Sequence, residues 1–110
     1  MKYTVLITPT AETEIWEAFA YINRDAPVSA QHWLRAIYEG VEALELYPGR
    51  CPVAPESEHV GEELRHLVLG AYRVIFRMEE QAQVVRVIGV RHAARRAMGE
   101  PEPGDQEATS

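Results

Sequence analysis

Apolar residues recur along the first half of the chain with the period of a helix and along the second half with the period of a strand. Lys2 to Thr8 is a short β-branched and aromatic run, and Thr8-Pro9 follows it with a capping hydroxyl and a proline suited to the first helical position. A strand is therefore expected to lead straight into a helix. Ala11, Ile15, Ala18, Phe19 and Ile22 then recur every three or four residues, with Glu12, Glu14 and Glu17 at the start and on the outer face. Asp25-Ala26-Pro27 closes this helix. A second one is expected from Pro27 or Ser29 to about Tyr47, with Ala30, Trp33, Leu34, Ile37, Val41 and Leu44 as its apolar stripe and Pro48-Gly49 as its stop.

Residues 48 to 61 lack periodicity and read as a loop. Beyond them the period becomes two. Leu64 to Leu69 forms one strand, stopped by Gly70. In the next, Tyr72, Val74, Phe76 and Met78 alternate with Arg73, Ile75 and Arg77, and after a turn at 79–82 comes Val84 to Val90, apolar on both faces and so central. The order β-α-α-β-β-β predicts an α+β fold in which a two-helix hairpin covers one face of a sheet whose last three strands form an antiparallel meander. The opposite face has no second layer, and Arg73 and Arg77 are expected to project from it, joined by Arg86 and Arg91 of the neighbouring strand.

Charge sharpens that picture. The chain of 110 residues has a formal charge of −6, yet residues 65–96 hold seven basic side chains against two acidic ones, while residues 1–64 hold four against eleven. Ten of the eleven cations are arginine, whose planar fork suits phosphate or carboxylate. An acidic or nucleic-acid partner is the first expectation for Arg73, Arg77, Arg86, Arg91, Arg95 and Arg96. One domain over residues 1–98 and a disordered acidic tail over 99–110 are expected, the tail carrying Glu100, Glu102, Asp105 and Glu107.

No apolar run approaches the roughly 20 residues of a membrane helix, no signal-peptide pattern is present, and the single Cys51 suits a reducing cytoplasm. No metal or cofactor is expected, because no paired cysteines, His-x-x-x-His, clustered carboxylates or Gly-rich phosphate loop appear. His92, at the end of the central strand and flanked by Arg91 and Arg95, would be kept neutral by those cations and so be available as an acceptor or base, or as a bracket for the following turn. His66 lies on a neighbouring strand and could reach the same face.

Several segments in fixed order carry a likeness. They are Ala11-Glu12, Tyr21-Ile22, Ala30 and Trp33, Pro48-Gly49-Arg50, Leu64-Arg65-x-Leu67, Gly70-Ala71-Tyr72-Arg73-Val74-Ile75-Phe76 and Val87-Ile88-Gly89-Val90-Arg91-His92-Ala93-Ala94-Arg95. Together they resemble the RelE/ParE superfamily of bacterial type II toxins over roughly residues 2–96. The resemblance implies a small toxin neutralised by a partner antitoxin in a hetero-oligomer, with a plasmid-stabilisation role in many members.

Two mechanisms occur in that superfamily. RelE-like members cleave mRNA on the ribosome with basic side chains and no metal, and ParE-like members poison DNA gyrase. By resemblance, Arg73 matches the arginine that holds the scissile phosphate in the nucleases, and His66 falls near the position of a catalytic lysine. Ala93 replaces a second C-terminal arginine and no tyrosine follows His92, so the ending Arg91-His92-Ala93-Ala94-Arg95 looks more ParE-like. The expectation is thus a ParE-like toxin acting on gyrase. The alternatives are a ribosome-dependent endoribonuclease using Arg65, His66, Arg73 and His92, and a degenerate member that has kept only antitoxin binding.

Overall fold

A computed structural model of the chain describes residues 2–93. Strand β1 (Thr4–Ile7) runs into helix α1 (Pro9–Asn23), as the Thr8-Pro9 signal requires. The Thr8 hydroxyl accepts a hydrogen bond from the Ala11 N–H at 3.2 Å, satisfying one of the donors that a helix start leaves open and contributing about 1 kcal/mol. Helix α2 (Pro27–Glu42) folds back on α1, and its last turn tightens into a 3₁₀ segment (Ala43–Glu45) instead of continuing to Tyr47. Tightening at a helix end satisfies orphan carbonyls locally, and it keeps Leu44 fully buried. A 3₁₀ turn (Pro48–Arg50) and a one-turn helix α3 (Ser57–Val60) interrupt the segment expected to be loop.

Strands β2 (Arg65–Leu69), β3 (Tyr72–Glu79) and β4 (Val84–His92) complete a four-stranded sheet of order β1-β4-β3-β2. The last three form the expected antiparallel meander, and β1 joins β4 in parallel. The two helices cover one face, which is the expected α+β arrangement. On that face Phe76, Val74, Val85, Val87 and Val90 pack against Ala11 and Ile15 of α1 and Ile37 and Val41 of α2, all buried. Each large apolar side chain removed from water here contributes about 1.5–3 kcal/mol.

The other face is not bare. Residues 51–64 arch across it, where Ala54 and Leu64 bury against Ile75 and the half-buried Ile88 in a second, smaller core. The arch is tied to the sheet by backbone bonds Ala54 N–H to Leu64 O (2.7 Å) and His66 N–H to Pro52 O (3.1 Å). Within it the Ser57 hydroxyl both accepts from Leu64 N–H and donates to Leu64 O, at 2.8 and 3.0 Å.

Candidate functional site

Strand register sorts the candidate side chains onto two faces. Arg73 stands opposite Arg91 and Arg77 opposite Arg86, all turned away from the helices. Tyr72 stands opposite His92, and Phe76 opposite Arg65, on the helix-covered face. Adjacent strand positions alternate in direction, so the set Arg65, His66, Arg73 and His92 is divided. His66 and Arg73 lie under the arch; Arg65 and His92 lie on the other side of the sheet. The register therefore does not bring together the residues of the alternative ribonuclease set, and His92 stands on the opposite face from Arg73.

Arg73 was expected to be exposed and is instead 7% accessible. Its guanidinium grips the fully buried Glu56 with both ends, Nη1 donating to Oε1 at 3.0 Å and Nη2 to Oε2. Nη1 also lies 3.0 Å from His66 Nδ1. A guanidinium has no lone pair to offer, so Nδ1 is the acceptor and the His66 ring carries its proton on Nε2. Burial and then the adjacent Arg73 charge hold the His66 pKa below its ordinary value, against an opposing pull from Glu56. For Glu56 burial works upward, but the hydrogen bond from Arg73, a backbone hydrogen bond and the charges of Arg73 and His66 outweigh it and leave the carboxyl below the usual range.

The neighbouring cations are also matched by carboxylates. Glu79 accepts from Arg86 Nε at 2.7 Å and from Arg77 Nε at 3.1 Å, and Arg77 reaches Glu62 at 3.1 Å. These hydrogen bonds, from Arg86 first and Arg77 second, lower the Glu79 carboxyl to about 2. Arg65 binds the carbonyls of Cys51 (2.5 Å) and Gly49 (3.3 Å) and the carboxylate of Glu63 (3.0 Å). The expected uncompensated cluster is therefore corrected for Arg73, Arg77 and Arg86, to which the arch and the end of β3 deliver Glu56, Glu62 and Glu79; Arg65, on the helix-covered face, has Glu63. Arg91 is half-buried beside this network. Arg95, Arg96 and the expected acidic tail lie outside the described residues.

Two features had no sequence signal. Trp33 of α2 packs edge-on against Tyr72, centroids 5.0 Å apart, and Tyr72 packs edge-on against His92 at 5.1 Å, making a half-buried aromatic group beneath the end of β4. The second feature is a groove of about 560 Å³ along the free edge of β1, lined by Tyr3, Val5, Ile7, Tyr38 and Val41 and rimmed by Lys2, Glu42 and Glu45. The Thr4 and Thr8 N–H groups bond toward β4, at Gln83 O and Val87 O, whereas the Tyr3 N–H bonds outward to Glu45 O. By that alternation Val5 and Ile7 aim their backbone N–H and C=O at the groove.

Among the described residues no group of three or more His, Cys, Asp or Glu is placed to hold a metal ion. No helix among them is long and apolar enough to cross a membrane.

The family model for the ParE toxin of the type II toxin-antitoxin system parDE matches residues 5–97. Among solved structures, a chain of the chromosomal ParDE toxin-antitoxin system from P. aeruginosa superposes with a TM-score of 0.67 at 17% identity, covering 83% of this chain and 96% of that one. A chain of the RelBE2 toxin-antitoxin complex of Mycobacterium tuberculosis superposes with a TM-score of 0.60 at 23% identity, covering 84% and 99%. No curated protein matches the sequence.

Proposed function

The chain belongs to the ParE toxin family of type II toxin–antitoxin systems, and from that membership we propose that it arrests growth by acting on DNA gyrase and that a cognate antitoxin neutralises it. The family match along nearly the whole described chain carries the reading. The division of Arg65, His66, Arg73 and His92 between two faces supports it against the ribonuclease alternative, because general acid–base cleavage needs its groups within hydrogen-bond reach of one phosphate. Arg73 is moreover occupied by a buried internal carboxylate.

For the antitoxin, the β1 edge offers a seat with defined chemistry. An extended segment would add to the sheet through the backbone groups of Val5 and Ile7 and set alternate apolar side chains against Tyr3, Tyr38 and Val41. Two carboxylates and one lysine rim the groove, so a basic side chain at the segment's end fits better there than the acidic complement that an open arginine face would have called for.

The test is a supercoiling assay with purified gyrase, relaxed plasmid and ATP. Added toxin should block supercoiling and trap cleaved DNA, and antitoxin should reverse both. Unaffected gyrase, with codon-specific cleavage of mRNA in a translation reaction, would replace this reading with the nuclease.

A further inference from the structure

A single extra residue decides which face the end of β4 presents. Phe76 pairs with Val87 but Ile75 with Gly89, so Ile88 is a bulge with no partner of its own. Without it the register would continue Ile75 with Ile88, Arg73 with Val90 and Tyr72 with Arg91. Every later side chain would change face, placing Arg91 against Tyr72 under the helices and His92 outward. With the bulge, Arg91 joins Arg73, and His92 closes the Trp33–Tyr72 group.

The bulge falls where β4 loses its outer neighbour. Strand β1 ends at Ile7 opposite Val87, and the Thr8 N–H to Val87 O bond is the last before the chain turns into α1. Beyond that point the buried Val90 N–H is taken by a side chain: Glu14 Oε1 accepts it at 2.9 Å. The helix pattern put Glu14 on the outer face of α1, yet it is half-buried and turned onto the sheet. Gly89 makes room for it, since a Cβ there would stand 3.2 Å from the same oxygen.

We propose that Glu14 is a positioning residue, whose carboxylate pins the Ile88 bulge and so sets Arg91 on the arginine face and His92 on the aromatic face of the toxin. Its bearing on toxicity rests on the reading of this chain as an active toxin; its bearing on register does not. The full-length chain is examined by NMR. Coupling across the hydrogen bond should connect the Val90 amide nitrogen to the Glu14 carboxyl carbon, and its absence from the wild-type chain overturns the proposal without any variant.

Glu14→Gln keeps an oxygen acceptor and should retain the Tyr72–His92 ring contacts and the growth arrest. Glu14→Ala should lose those contacts, exchange the Val90 amide at least about tenfold faster and lose toxicity, while the Ile37 and Phe76 core signals persist. Unchanged Tyr72–His92 contacts in Glu14→Ala would overturn the positioning role, and retained toxicity in a variant whose contacts are lost would overturn its bearing on toxicity. A wild-type chain without effect on gyrase would defeat the target assignment and leave the register readouts to judge Glu14 on their own.

Discussion

Replacing Glu56 by alanine should be among the most damaging single changes available in this fold. Glu56 is fully buried and Arg73 is 7% accessible, so truncating the carboxylate strands a guanidinium that cannot discharge itself by losing a proton. Breaking one side of a buried pair costs about 3–5 kcal/mol, a large share of the 5–15 kcal/mol by which a domain of this kind is stable. Part of that loss comes from the arch, since Glu56 precedes α3 and its contact with Arg73 fixes residues 51–64 over Ile75. Urea denaturation of wild type, Glu56→Ala, Arg73→Ala and a double variant carrying Glu56→Leu and Arg73→Met would measure it. Both alanine variants should unfold at much lower urea, and the double apolar variant should recover most of the loss because no buried charge is left without a partner. A loss below about 1 kcal/mol in Glu56→Ala, the range of solvent-exposed pairs, would refute the claim that this pair is desolvated and anchors the arch. It also follows that lost toxicity in Arg73→Ala reports folding before it reports contact with a target.

Three further outcomes follow from other parts of the molecule. Because His66 has its pKa held below the ordinary value of about 6.5, the unfolded chain binds the proton more tightly, and stability should fall as pH drops below that value; His66→Gln should flatten this part of a stability-against-pH curve, and an unchanged slope would contradict it. Val5→Pro removes an N–H that faces the open edge and no bond to β4, so calorimetric titration should show weaker antitoxin binding with little change in melting temperature; undiminished affinity would place the antitoxin elsewhere. Glu79→Gln leaves Arg77 and Arg86 facing each other across the strands, and its melting temperature should lie below wild type in low salt and approach it in ~1 M salt, where screening reaches about 3 Å. A deficit insensitive to salt would mean that Glu79 acts through packing.

The sequence spoke clearly where one local rule governed. Thr8-Pro9 marks the start of α1, the stripe from Ala30 to Val41 marks α2, and the alternation from Tyr72 to Met78 marks β3 and its buried face. It was silent on the arch, because Glu56 sits in an aperiodic stretch and meets Arg73 seventeen residues later, a pairing with no local signature. Surplus arginine in the second half therefore looked like an exposed cluster when its carboxylates were already provided by the fold. The bulge was hidden for a different reason: Val84 to Val90 is apolar on both faces, so a slip of one residue leaves no mark in the hydrophobic pattern. Gly89 inside a strand was the available hint of such a site, and the shift beside it is what brings Arg91 to the face of Arg73 and turns His92 to the other.

The most direct test of the account is to express the chain in bacteria without its antitoxin while following growth, a DNA-damage reporter and the 5′ ends of cellular mRNA. Growth should stop and the reporter should rise while mRNA ends stay as in uninduced cells. New mRNA ends phased with codons and a silent reporter would contradict action on gyrase, and undisturbed growth would contradict toxicity itself.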